Sequence, residues 1–249
     1  HVVRHKVDEV APYELFESRE TIQFYHREDF DAVGLQYLAR DLEPALVICF
    51  GWMDNDYLSV LRARPSACRA VMTMDTQWLG TVRQHLGRIW SRFRLVPLFD
   101  HVWVPGSRQH CFARMLGFPE SRIKDGLLVA NSSNFDPIWQ SVKSAGPKKR
   151  LVFTGRYAPE KGLRQLWEAF VSYHEHNDSE LELWCVGTGP LEAERPAHPK
   201  IRHLGFVQPS EFHDRLAGGG IFILPSTFEP WGLVVQEFAL AGFPLILSR

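Results

Sequence analysis

One segment near the end of the chain, residues 221–241, constrains the fold more than any other. It begins with the apolar run Ile221–Pro225, typical of a buried strand, and continues after Leu233 with apolar residues at helical spacing. Pro230 and Gly232 lie between the two patterns and interrupt both, so the chain must turn sharply there. A turn from a strand into a helix leaves backbone amides unpaired beside the positive end of the helix dipole. The segment therefore predicts a strand–turn–helix unit that binds an anion such as a phosphate.

Two carboxylates belong to the same segment. Glu229 lies in the turn and Glu237 lies eight residues later in the helical pattern. A carboxylate only accepts hydrogen bonds, so it suits the hydroxyl groups of a sugar or a ribose. Amides for a diphosphate beside acids for a polyol favour a nucleotide-sugar ligand. The acidic pair by itself would favour an ordinary strand–turn–helix with two surface acids.

A second strand-to-helix turn begins the later part of the chain. The apolar strand pattern Leu151–Thr154 is followed by the turn 155–162, which carries Arg156 and Lys161. Arginine offers a planar fork of donors and lysine a compact charge. Together they would neutralise a departing diphosphate, and cations directed at developing charge are a large term in catalysis. Arginine and lysine at this spacing alone would indicate no more than a solvated helix start.

The segments "FTGRYAPEKG" and "PSTFEPWGLVVQEFALAGFPLILS", with its E-x7-E motif, closely resemble the donor site of retaining glycosyltransferases of the GT-B fold, family 4. The resemblance implies two Rossmann-like domains with parallel sheets facing across a cleft, incomplete here at both ends. The alternation of strand and helix patterns along the chain also predicts an α/β fold with parallel sheets. We expect an acceptor-side domain over residues 1–137, a linker over 138–150, where the sequence is rich in polar residues, Gly and Pro, and a donor domain over 151–249.

The resemblance also assigns residues. It gives Arg156 and Lys161 the donor diphosphate, Glu229 the hydroxyls of the transferred sugar, and Glu237 the ribose. An ordinary turn is an equally good interpretation of the "VGTGP" and "LGFV" segments. Further donor contacts are expected from Gly155, Gly187, Gly189, Phe206, Val207, Trp231, Gly232, Leu233 and Val234.

The acceptor side is expected at the carboxyl ends of the strands in the first half, because parallel sheets bind ligands there. Gly51, Trp52 and Trp78 follow two such strands, and indole faces stack well on sugar rings. Simple packing of the two tryptophans over the strand ends is the alternative. Family members often carry a His-Asp pair where this chain has Met74 and Asp75, so Asp75 would keep only part of that catalytic role.

Composition excludes some partners. The chain has 28 Lys and Arg against 29 Asp and Glu, so no strong positive field is present to recruit nucleic acid.

No metal-ligand spacing is found, and the resemblance implies transfer with retention of configuration, without metal or cofactor. The expected co-substrate is a nucleotide-diphosphate sugar, with UDP or GDP, and the acceptor a saccharide, a lipid-linked sugar or a small molecule. A nucleotide-sugar epimerase and a non-catalytic nucleotide-sugar binder remain the alternatives.

Location is predicted from what the chain lacks. No apolar run approaches the roughly 20 residues of a transmembrane helix, and the four cysteines are widely separated, which favours a reducing cytoplasm. The basic, aromatic stretch Arg83–Arg94 has two interpretations. A solvated helix face is the favoured one, and peripheral contact with the anionic inner face of a membrane is the other.

Overall fold

The computed structural model describes residues 1–6, 20–145 and 148–248. The described chain forms two compact units, the first with residues 1–6 and 20–128 and the second with residues 129–145 and 148–248. Each unit has its own hydrophobic core. None of the helices in these ranges combines the length and the apolar character needed to cross a membrane.

The first unit contains a four-stranded parallel sheet in the order β3-β4-β5-β6 and a separate parallel pair, β1-β2. Asp31, Asp54 and Thr81 begin the first three helices, because each side chain accepts a hydrogen bond from a backbone amide of the first turn. The elements are β1 Val2–Arg4, β2 Phe24–His26, α1 Ala32–Leu42, β3 Leu46–Phe50, α2 Asn55–Ala63, β4 Arg69–Thr73, α3 Val82–Arg94, β5 His101–Trp103, α4 Ser107–Leu116 and β6 Ile123–Lys124.

The second unit contains a five-stranded parallel sheet in the order β11-β10-β7-β8-β9. Counted within the unit this is 5-4-1-2-3, the order of a Rossmann sheet. Helices α6 and α8 bury Leu163, Trp167 and Phe238 in a core that is continuous with the strands. The elements are α5 Ser132–Ala145, β7 Arg150–Thr154, α6 Leu163–His176, β8 Glu182–Val186, β9 Ile201–Gly205, α7 Phe212–Leu216, β10 Ile221–Leu224, α8 Leu233–Leu240 and β11 Leu245–Leu247.

The α/β class with parallel sheets in two units is confirmed, but the predicted division of the chain is wrong in detail. The units separate near residue 128, not at 137, and most of the predicted linker 138–150 is helix α5 and the start of β7. Ile138 and Val142 lie in the second core, so this helix belongs to the second unit. Arg150 is also buried and donates hydrogen bonds to the carbonyls of Leu216 and Ala217, at the end of α7.

Two local features lie beside these elements. Residues Phe24–His26 form a strand, and the helix that follows begins at Ala32. In the turn that precedes α7, Gln208 and Glu211 form a capping box.

Candidate functional site

The topology of the second sheet brings the two predicted turns together. The chain runs from β7 outward through β8 and β9, then returns to place β10 on the other side of β7. In open parallel sheets, ligands bind outside the carboxyl ends of the strands at such a reversal of strand order. The turn 155–162 leaves the end of β7 and the turn 225–232 leaves the end of β10, so both face this position.

An ion pair joins the two turns. The ammonium Nζ of Lys161 lies 2.7 Å from the carboxylate Oε2 of Glu229, although the residues are 68 positions apart. The hydroxyl of Ser226 donates to the same oxygen at 3.1 Å. Both charged side chains are largely shielded from solvent, which strengthens the attraction relative to an exposed pair. A cation and an acid from two segments are therefore fixed at the switch point of the sheet.

Backbone contacts hold the turns at this separation. The carbonyl of Glu160 accepts a hydrogen bond from the Thr227 amide at 2.8 Å and from the Thr227 hydroxyl at 3.2 Å. Gly162 has φ +67°, and a Cβ there would lie 2.2 Å from the carbonyl oxygen of Pro225. Only glycine fits so close an approach of two backbones without strain.

Arg156 does not share the anion partner of Lys161. Its guanidinium is exposed and pairs with the carboxylate of Glu160 at 3.0 Å. A backbone hydrogen bond within Glu160 and the bond from Arg156 hold the pKa of the Glu160 carboxyl below its usual value. In the described structure the two predicted cations therefore lie on one turn but each faces a different acid.

Helix α8 contains three of the predicted donor residues, Leu233, Val234 and Glu237. Gly232 adopts φ +74° and precedes the first helical residue, Leu233, so the amides of Leu233 and Val234 belong to the first turn. First-turn amides have no acceptor within their own helix and lie at its positive end. Glu237 follows one turn later and is partly buried, and this burial raises the pKa of its carboxyl.

The glycines of the loop after β8 have a packing reason to be glycine. A Cβ on Gly187 would lie 2.0 Å from the Gly155 carbonyl oxygen, and one on Gly189 would lie 2.8 Å from the Tyr157 carbonyl oxygen. The amide of Tyr157 donates to the Thr188 carbonyl at 2.7 Å, which ties this loop to the turn after β7. Val207 lies in the core, so its side chain is not available to a ligand.

The predicted acceptor-side residues all lie in the first unit. Gly51 directly follows β3, and its amide donates to the Thr73 carbonyl at 2.7 Å. Trp52 and Trp78 both pack against Phe112, with ring centroids 6.3 and 5.8 Å away. The carbonyl of Asp75 accepts a hydrogen bond from the Gln109 amide group at 3.0 Å. Packing thus accounts for much of both indoles, and a sugar would meet only their remaining exposed parts.

Sequence reasoning missed two contributors to the site. Ser226 holds Glu229, and Glu160 both anchors the second turn through its carbonyl and pairs with Arg156. A signal for Ser226 was present, because it directly follows the last residues of a buried strand, where side chains reach the ligand edge of a parallel sheet. The contact of Glu160 with the second turn is made by its backbone carbonyl, which no residue pattern reveals.

Known proteins resemble parts of this chain in sequence. Residues 148–249, which contain both turns, match the family Glycosyl transferases group 1. The segment is similar to that family over less than half of the chain. The chain is also 25% identical over 116 residues to the uncharacterized glycosyltransferase MJ1607 of Methanocaldococcus jannaschii, covering 44% of this chain and 29% of the relative. It is 30% identical over 112 residues to the 2-deoxystreptamine N-acetyl-D-glucosaminyltransferase of Niallia circulans, covering 41% of this chain and 28% of the relative.

The chain also resembles solved structures over most of its length. Sucrose-phosphate synthase from Thermosynechococcus elongatus matches 99% of this chain and 70% of its own with a TM-score of 0.67 at 15% identity. Anabaena Alr3699/HepE, solved with UDP and glucose, matches 91% of this chain and 67% of its own with a TM-score of 0.62 at 13% identity. At these identities the likeness shows the fold. The matched sequence corresponds to less than a third of each curated relative.

Proposed function

We propose that this chain is part of a glycosyltransferase that moves a sugar from a nucleotide-diphosphate sugar to an acceptor, with retention of configuration and without a metal ion. One observation carries the proposal. Lys161 and Glu229, from the two turns that resemble a glycosyltransferase donor site, meet at 2.7 Å at the switch point of the group 1 segment. The pair lies where parallel sheets bind ligands, and this position favours a role in binding over simple packing.

The charges suit the departure of a nucleoside diphosphate. As the glycosidic bond breaks, negative charge grows on the leaving phosphate. The Lys161 ammonium and the first-turn amides of Leu233 and Val234 would stabilise this charge from fixed positions. Arg156 projects from the same turn as Lys161 and is exposed, so its long side chain would leave Glu160 and add a second cation once a diphosphate is bound.

The carboxylates suit the sugar groups. Glu229 would accept hydrogen bonds from hydroxyls of the transferred sugar, and Glu237 from the ribose. The acceptor would bind through the first unit, near Trp52, Trp78 and Asp75. UDP-sugars are the first donors to test, since Alr3699/HepE was solved with UDP and glucose.

The experiment is a thermal-shift screen against UDP- and GDP-sugars, followed by analysis of products from a labelled donor. A ligand that binds only the folded state raises the melting temperature, by an amount equivalent to about 2.7 kcal/mol at a concentration 100 times Kd. Label transferred to an acceptor with the configuration kept supports the proposal. A rearranged donor sugar would indicate an epimerase. Binding with no turnover, across saccharide, lipid-linked and small acceptors, would indicate a binding protein.

A further inference from the structure

Helix α3 of the first unit turns its apolar side toward solvent. Val82, Leu86, Ile89 and Phe93 are 76, 66, 61 and 75% exposed. They follow one another at intervals of four, three and four residues, so they form one continuous stripe along the helix. Trp90 lies at the edge of this stripe and is 48% exposed.

This orientation is the reverse of an ordinary surface helix. Helix α6 has an apolar stripe of the same kind, but Leu163, Trp167 and Phe170 are buried in the core of its unit. In α3 the buried residue is a serine, Ser91, whose hydroxyl donates to the Leu116 carbonyl at 2.6 Å. The helix is thus attached to its unit by its polar side. An apolar stripe turned outward in this way marks a surface that meets another apolar phase.

The charge of the helix identifies that phase. Residues 82–94 contain four arginines and one histidine and no acidic residue. At helical spacing, Arg83 and Arg94 lie along one edge of the stripe, and His85 and Arg92 lie along the other. A stripe of Leu, Ile and Phe between two basic edges is typical of helices that lie in the interface of an anionic membrane. A nucleic acid would use the arginines but would leave the apolar stripe in water.

We propose that α3 lies flat in the surface of a membrane that contains anionic lipids. The apolar stripe would enter the boundary between headgroups and acyl chains, and the arginines would contact lipid phosphates on both sides. With 13 residues the helix is about 20 Å long, enough to lie in the interface but not to cross the hydrocarbon core. The surface belongs to the first unit, whereas the residues of the proposed donor site belong to the second.

The test is binding of the whole chain to phosphatidylcholine vesicles with and without phosphatidylglycerol, measured by co-sedimentation. The wild type is expected to bind the anionic vesicles and not the neutral ones. The variants L86S/I89S/F93S and R83Q/R94Q should each weaken this binding by about tenfold or more, since both kinds of contact contribute. The matched control V33S/Y37S removes residues that are 56 and 64% exposed on α1 of the same unit, and should bind as the wild type does.

Three results would overturn the proposal. One is equal binding of the wild type to neutral and anionic vesicles, or to neither. A second is wild-type binding by L86S/I89S/F93S, which would mean that the arginines form a general polyanion site. A third is a wild-type dimer that this triple variant converts to a monomer, which would assign the stripe to a second copy of the chain. Circular dichroism melts check that each variant is folded. Donor thermal shifts on the same variants keep failure of this proposal distinct from failure of the donor site.

Discussion

The Lys161–Glu229 pair determines the sharpest expectation at the residue scale. Lys161→Ala and Glu229→Ala should each lower turnover by on the order of 10²-fold or more, because the first removes a cation from the leaving phosphate and the second removes a hydrogen-bond acceptor from the sugar hydroxyls. Lys143→Ala removes a lysine from the exposed side of α5 and should keep wild-type turnover. Steady-state kinetics with the donor found in the thermal-shift screen measures all three. Wild-type turnover in Lys161→Ala or Glu229→Ala would contradict the proposed function.

Glu237 should make stability depend on pH. Burial raises the pKa of its carboxyl in the folded state above the usual 4.5, so the folded protein binds this proton more tightly than the unfolded chain does. The resulting stabilisation is complete below pH 4.5 and is lost as the pH rises through the folded-state pKa. Glu237→Gln is therefore expected to raise the free energy of unfolding at pH 7, with a difference that shrinks toward pH 4.5.

Urea unfolding at several pH values measures this difference. Glu168→Gln removes an exposed acid from α6 and should show little change at any pH. A Glu237→Gln protein no more stable than the wild type at pH 7 would contradict the expectation. If Glu237 also accepts ribose hydroxyls, the same variant should bind the donor more weakly while it unfolds less readily, a combination that a purely structural residue would not give.

The residue scale also shows where sequence reasoning stops. The two turns and their charged residues were predictable, because glycines, prolines and apolar runs mark them locally. The pairing of each cation with its acid was not predictable. Lys161 pairs with an acid 68 positions away, whereas Arg156 pairs with an acid four positions away. Spacing along a turn fixes neither choice, since both depend on how β7 and β10 come together.

At the scale of elements, Gly162 decides how closely the two turns approach. Gly162→Ala would add a Cβ 2.2 Å from the Pro225 carbonyl oxygen at φ +67°. Gly205→Ala is a matched control in the same unit, because Gly205 has φ +70° and nothing within 4 Å of its added Cβ. Both changes carry the backbone strain of about 1–2 kcal/mol for a left-handed alanine. In Gly162→Ala, overpacking should lower the free energy of unfolding by a further 1–3 kcal/mol, roughly. Urea unfolding measures both variants. An equal loss of stability in the two would show that the turns can move apart at little cost.

Strands and helices were predictable from the sequence where the pattern of apolar residues was long and uninterrupted. The apolar runs of β7 and β10 indicated strands, and the basic, aromatic stretch 83–94 indicated a helix where α3 lies. Helix α5 was missed because its polar residues, with Pro137 inside the helix and Gly and Pro just after it, hid the apolar spacing of Phe135, Ile138 and Val142. Those three residues bury against the second core, and such tertiary packing overrides local propensity.

At the scale of the whole molecule, two cores without a common residue predict two separable units of unfolding. Phe238 is fully buried in the second core and stacks on Phe222 with ring centroids 4.2 Å apart, whereas Met72 is fully buried in the first. Phe238→Ala is expected to lower the stability of the second unit by about 3–5 kcal/mol, and Met72→Ala that of the first unit by about 2–5 kcal/mol. Hydrogen exchange measured by mass spectrometry should therefore rise in the second unit for Phe238→Ala and in the first for Met72→Ala.

A bound donor adds an independent check on this expectation. Since every predicted donor contact lies in the second unit, the nucleotide-sugar that raises the melting temperature should slow exchange there and should partly restore protection in Phe238→Ala. It should not restore protection to the first unit in Met72→Ala, because binding stabilises only the parts whose unfolding releases the ligand. Loss of protection across both units in either variant would mean that the chain unfolds as one cooperative body, and the donor would then protect both halves alike.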